Sequence, residues 1–173
     1  SGEVLEYRLI LSLKTGILER TIVWRSPAGR EARIEIRRLV AFKNKHLSAI
    51  RYVVTPLNFS GKIRLVSALN GDVTNLTTGA DPRLGSGLQG RVLSIEDQIA
   101  DEGFGSLRQQ TQHSGLALVC AMKNQLGTDC EYRVESSITD TTVSVTYTVD
   151  AEQQTPIQFY KYISYVTSQY YAA

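Results

Sequence analysis

Two histidines, two cysteines and a few adjacent carboxylates are the residues of this chain that bear on acid–base, nucleophilic or metal chemistry. His46 and His113 are 67 residues apart, each in a polar stretch near a turn, without the HxH or HxxxH spacing that metal sites use. Glu96-Asp97 and Asp101-Glu102 are sequence neighbours. Neighbours on a strand point to opposite faces, so neither pair is placed to straddle a glycosidic bond, where carboxylates stand about 5–10 Å apart. Gly85, Gly87 and Gly90 have GxGxxG spacing, yet no apolar strand precedes them and no helical pattern follows. There is no GxSxG elbow and no P-loop. Arg33, Arg37 and Arg38 offer guanidinium forks to a phosphate or, as the simpler reading, pair across strands with Glu31 or Glu35. The reading assigns no catalytic residue, no metal site and no cofactor. What remains is aromatic. Trp24, Tyr160 and Tyr162 are the candidate carbohydrate contacts, because an aromatic face suits the apolar face of a pyranose. Tyr165, Tyr170, Tyr171 and Phe159 lie in the same tail, and the same alternation also fits a strand packed against a partner.

The elements that must position these residues are strands. Val4 to Leu13, Leu18 to Arg25, Ala32 to Val40, Leu47 to Thr55, Ile63 to Leu69, Leu116 to Met122, Val143 to Val149 and Ile157 to Val166 alternate apolar and polar residues. That is the period of a half-buried sheet. Tyr7, Leu9, Leu11 and Leu13 share a face with Leu5, and Thr15-Gly16 turns the first hairpin. In the third segment Ala32, Ile34 and Ile36 oppose Arg33, Glu35 and Arg37. Pro27-Ala28-Gly29 and Asn70-Gly71-Asp72 are turn signals. Residues 95–99 are compatible with one helical turn, and residues 74–90 read as a long surface loop. Ten to twelve short strands with turns between them predict an all-β antiparallel sandwich in one domain, residues 1–173.

Bulk composition narrows the class. A formal charge of +2 is too near balance to argue for nucleic acid or an anionic membrane. No apolar run approaches the ~20 residues of a membrane-spanning helix. Cys120 reads as a small core residue, and Cys130 follows a turn; pairing across a hairpin and two free thiols both stay open.

The order of the segments is more specific than any one of them. YRLILSLKTGILERTIVWRSPAG at 7–29, the run IEIRRLVAFKNKHLSAIRYVVTPLNFSGKIRLVSALNGDVTN at 34–75, TQHSGLALVCAMKNQL at 111–126 and PIQFYKYISYVTSQ at 156–169 resemble, in order and spacing, the N-terminal domain of glycoside hydrolase family 65. The resemblance covers essentially the whole chain. It implies a galactose-mutarotase-like super-sandwich, here in truncated form because the family's opening segment is not represented. It also implies a parent enzyme that cleaves α-linked glucose disaccharides with inversion, as a phosphorylase using inorganic phosphate as co-substrate or as a hydrolase. In that family the catalytic Glu lies in an (α/α)6 barrel, so no catalytic residue carries over to a position in this chain. The implied partners are that barrel of the same polypeptide, the disaccharide and a second subunit in a homodimer, with no nucleic acid and no membrane; the implied location is cytoplasmic. Residues 74–90 are the candidate for the active-site rim. The alternative is a stand-alone carbohydrate-binding sandwich. Strand edges left open by a truncated sandwich are expected to invite pairing.

Overall fold

The computed structural model describes residues 2–74 and 90–169. The expected loop therefore falls almost wholly outside the described residues, as do Tyr170 and Tyr171. Eleven strands form in chain order: β1 (Glu3–Ser12), β2 (Ile17–Arg25), β3 (Glu31–Val40), β4 (Leu47–Pro56), β5 (Gly61–Asn70), β6 (Leu93–Asp101), β7 (Phe104–Thr111), β8 (Ala117–Gly127), β9 (Tyr132–Ile138), β10 (Thr142–Ala151) and β11 (Ile157–Thr167). All pairings are antiparallel. The predicted sandwich is present, with no helix among the described residues.

The two layers are unequal. Eight strands in the order β1-β2-β3-β4-β11-β8-β7-β6 make one sheet, and β5-β10-β9 make the other. Paired residues of neighbouring strands share a face, so the register assigns each side chain to a layer. One row runs Leu9, Arg20, Ile36, Tyr52, Phe159, Leu126. It faces the small sheet, since Phe159 is buried in the core. The next row runs Ile10, Glu19, Arg37, Arg51, Tyr160, Gln125 and faces outward.

The small sheet lies over β6, β7 and β8. Met122, Val143, Val145, Tyr147, Leu107, Leu69 and Phe159 fill the space between, with Tyr147 and Phe159 edge to face at 5.4 Å. Gly105 makes the layers' close approach possible: a Cβ there would meet Met122 and Val143 at 2.8 Å. A second cluster of Cys130, Val149, Ala151 and Ile157 closes one end. Cys120 and Cys130 are both free, so of the two open readings the unpaired one holds.

Residues 95–99 form strand β6, not a helical turn. A register shift between Ile95 and Asp97 breaks the period-2 pattern there. It leaves Ile95 against the core and Ile99 exposed. A similar shift between Val4 and Glu6 removes Leu5 from simple alternation with Tyr7, Leu9 and Leu11. Leu13 belongs to the turn beyond β1.

Candidate functional site

The three candidate carbohydrate contacts do not converge. Trp24 pairs with Ala32, and Ala32 with Pro56, in the inward row, where Trp24 is half-buried. Tyr160 and Tyr162 point outward from β11. Phe159, of the same tail, is in the core, because adjacent residues on a strand face opposite ways.

On the outer face Tyr160 and Tyr162 line a shallow hollow of ≈ 250 Å³ with Arg37, Leu39, Ala49 and Arg51. Tyr162 is 41% exposed. The Tyr160 hydroxyl donates to Gln158 Oε1 at 3.1 Å, and Arg51 Nη2 donates to the same oxygen at 2.9 Å. Arg37 Nε is 3.0 Å from Glu19 Oε1 on β2. The predicted partner of this arginine was Glu31 or Glu35; instead Glu31 holds Arg25 at 2.8 Å. Arg38 alternates with Arg37 along β3 yet also borders the hollow, whereas Arg33 does not line it. The hollow is bordered by two tyrosines and by Arg37, Arg38 and Arg51, which suits a hydroxylated ligand.

The inner face carries the larger feature. The small sheet stops at β5, which is its edge strand. Beyond that edge the inner face of β1–β4 carries Tyr7, Leu9 and Leu11, all exposed, with half-buried Leu18, Ile22, Ile34 and Ile36. Between β5 and the floor opens a cleft of ≈ 480 Å³ lined by Ile50, Tyr52, Arg64, Ser67, Phe159 and Lys161, among others. Lys161 Nζ donates to the Ala68 carbonyl at 3.1 Å, tying β11 to β5. Burial pushes the Lys161 ammonium below the usual lysine range, and the neighbouring Cys120 opposes this. Burial likewise raises Cys120, against the pull of Lys161. Ser67 Oγ donates to Met122 Sδ at 3.3 Å at the back of the cleft. Arg91 pairs with Asp72 and so holds together the two stretches that flank residues 75–89.

His46 and His113 sit in the turns after β3 and β7. Among the described residues no three His, Cys, Asp or Glu side chains group as a metal site would need. His46 works on the backbone: its Nδ1 lies 3.0 Å from the Tyr165 carbonyl, and its own carbonyl accepts from Tyr165 N at 3.0 Å. Asn58, whose Asn58-Phe59-Ser60 run fits a glycosylation sequon, has a structural role. Its Oδ1 accepts from Glu31 N at 2.7 Å and its Nδ2 donates to Gly29 O at 2.9 Å, fixing the β2–β3 turn against the end of β4. An Asn two residues after the strand-ending Pro56 was the available signal.

Comparison with known proteins agrees with this architecture. The chain matches the family model "Glycosyl hydrolase family 65, N-terminal domain" over residues 1–173. It is 39% identical over 168 residues to an α,α-trehalose phosphorylase of Thermoanaerobacter brockii, covering 97% of this chain and 22% of that protein. It is 32% identical over 122 residues to a kojibiose phosphorylase of Halothermothrix orenii, covering 70% of this chain and 14% of that protein. A solved structure described as a kojibiose phosphorylase from the human microbiome superposes with a TM-score of 0.78 at 16% identity, covering 96% of this chain and 20% of that one. This last likeness establishes fold alone. The chain spans about a fifth of the length of the trehalose phosphorylase it matches. By a family match across its whole length, the chain belongs to glycosyl hydrolase family 65, as that family's N-terminal domain.

Proposed function

We propose that this domain is a non-catalytic scaffold in a longer α-glucoside phosphorylase, with its bare inner face and open β5 edge covered by other polypeptide of the same enzyme. The observation that carries the reading is the apolar half-face of β1–β4 in a chain that spans about a fifth of its relatives. An exposed apolar surface of that kind marks an interaction site. The parent enzyme would hold its catalytic Glu and its phosphate site in an (α/α)6 barrel and act on an α-linked glucose disaccharide with inversion. Trehalose and kojibiose are the first substrates to try, since the relatives are named for them. Rim formation by residues 74–90, a cytoplasmic location and a homodimer belong to the same reading. The test is phosphorolysis by the full-length polypeptide, assayed as release of glucose 1-phosphate from each disaccharide, against a form lacking residues 1–173. Activity that requires both parts supports the scaffold role; full activity without residues 1–173 overturns it.

Carbohydrate binding by the domain itself is favoured by one observation, the exposed Tyr162 beside Arg37 and Arg51. Calorimetric titration with maltose, trehalose and kojibiose decides it. Binding lost in Tyr162→Ala supports the hollow as a sugar site, and no heat with any sugar removes it.

A further inference from the structure

We infer that the end of the large sheet carrying Leu13 and Phe42 is the seat for the domain that follows β11 in the full polypeptide, and that this domain presents an apolar recess rimmed by carboxylates. The inference rests on the proposed multidomain reading and adds which surface is used and what it meets. The hairpin turn at residues 13–16, the turn at 41–46 and the last residues of β11 lie at one end of the sheet, as the pairs Ser12–Ile17, Val40–Ser48 and Leu47–Ser164 require. Leu13 is 90% exposed and Phe42 94%. These two are distinct from the bare inner face: they stand on adjacent turns, and the Phe42 ring comes within 3.5 Å of where a Cβ would sit on Gly16. Gly16 has φ +69°, a conformation that this turn requires and that glycine adopts freely.

Two further features point to the occupant. The His46 bonds to the backbone of Tyr165 fasten the 41–46 turn to the end of β11, so polypeptide leaving β11 emerges beside these tips. Each apolar tip is followed directly by an exposed lysine, Lys14 after Leu13 and Lys43 after Phe42. Apolar anchors ringed by one sign of charge select a partner of the opposite sign around an apolar pocket.

The experiment uses the full-length enzyme. A zero-length carbodiimide joins lysine amines to carboxylates in direct contact, and mass spectrometry reads the joined peptides, with isotope-mixed protein separating links within one polypeptide from links between two. Hydroxyl-radical footprinting of the same sample reads Phe42. Expected are links from Lys14 or Lys43 to Asp or Glu beyond residue 173 of the same polypeptide, Phe42 labelling several-fold below that of exposed Tyr132, and loss of the links in Phe42→Asp, which adds no amine and repels a carboxylate rim. Labelling of Phe42 as free as that of Tyr132 overturns the inference. So do links that run only between polypeptides, which make the occupant a second copy, or only to residues preceding this domain. Phosphorolysis is assayed in parallel: links without activity sink the proposed function and leave this surface standing, whereas activity without links does the reverse.

Discussion

The two halves of the eight-stranded sheet are built from the same alternating pattern, yet only one of them is a core. On β6, β7, β8 and β11 the inward residues meet β5, β10 and β9, and Leu107, Met122 and Ile157 are buried. On β1 and β2 the inward residues are as apolar, yet Tyr7, Leu9 and Leu11 are exposed and Ile22 is half-buried. Alternation therefore specifies that a face wants covering; it does not say that the cover is supplied within these residues. The edges differ in the same sense. β6 carries a bulge with Glu96 and Asp97, devices that discourage further pairing. β5 is ten residues long, in unbroken register with β10, and borders the uncovered floor.

This contrast can be broken by substitution. The largest effect is expected at Ile157, fully buried where the layers meet: Ile157→Ala should cost about 2–5 kcal/mol, read as a lower urea midpoint at unchanged slope. Gly105→Ala comes next. The added methyl presses on Met122 and Val143, and a loss of about 1–3 kcal/mol is expected; combined with Met122→Ala the total loss should fall short of the sum of the two single losses if crowding is the cause. Leu9→Ser sharpens the comparison, because its result depends on what surrounds the domain. In the 173-residue chain the change should stay within about 0.5 kcal/mol. In the full-length enzyme, with the face covered, it should rise to about 1.5–3 kcal/mol. Equal midpoint shifts in both would mean that nothing covers this face.

The smallest effect is one of pH. Between the lowered value of Lys161 in the folded chain and the ordinary lysine value near 10.4, the unfolded chain holds the proton and the folded chain does not. Stability then climbs with pH across that window, and below it the folded state carries a buried charge. Lys161→Met should remove the climb. Cys120, raised by burial, titrates in the opposite sense, so the comparison is made in a Cys120→Ala background. A climb of the same steepness in both chains would show that another group is responsible.

Much of the fold was legible because strand period and turn chemistry are local. Ala32, Ile34 and Ile36 share the inward face as their spacing predicts, and Gly16 turns the first hairpin. Residues 95–99 misread because Ile95 and Ile99 have the i, i+4 spacing of a helix, while a bulge conceals the strand period. Which strands sit side by side was not legible: nothing local in Ile157–Thr167 places it between β4 and β8. The site was legible only as residue types. Faces separated Trp24 from Tyr160 and Tyr162, and the cleft under β5 arises from an incomplete layer, which no single segment encodes.

The central position of β11 also has a consequence for synthesis. It is the last strand among the described residues, and it bridges the ladder β1–β4 to the ladder β8-β7-β6. Until it leaves the ribosome, the large sheet exists as two separate blocks whose inner edges, β4 and β8, are unpaired. The domain cannot mature progressively from its N-terminus. It must wait for its final strand, and a ribosome that pauses before residue 157 leaves a nascent chain with two sticky edges.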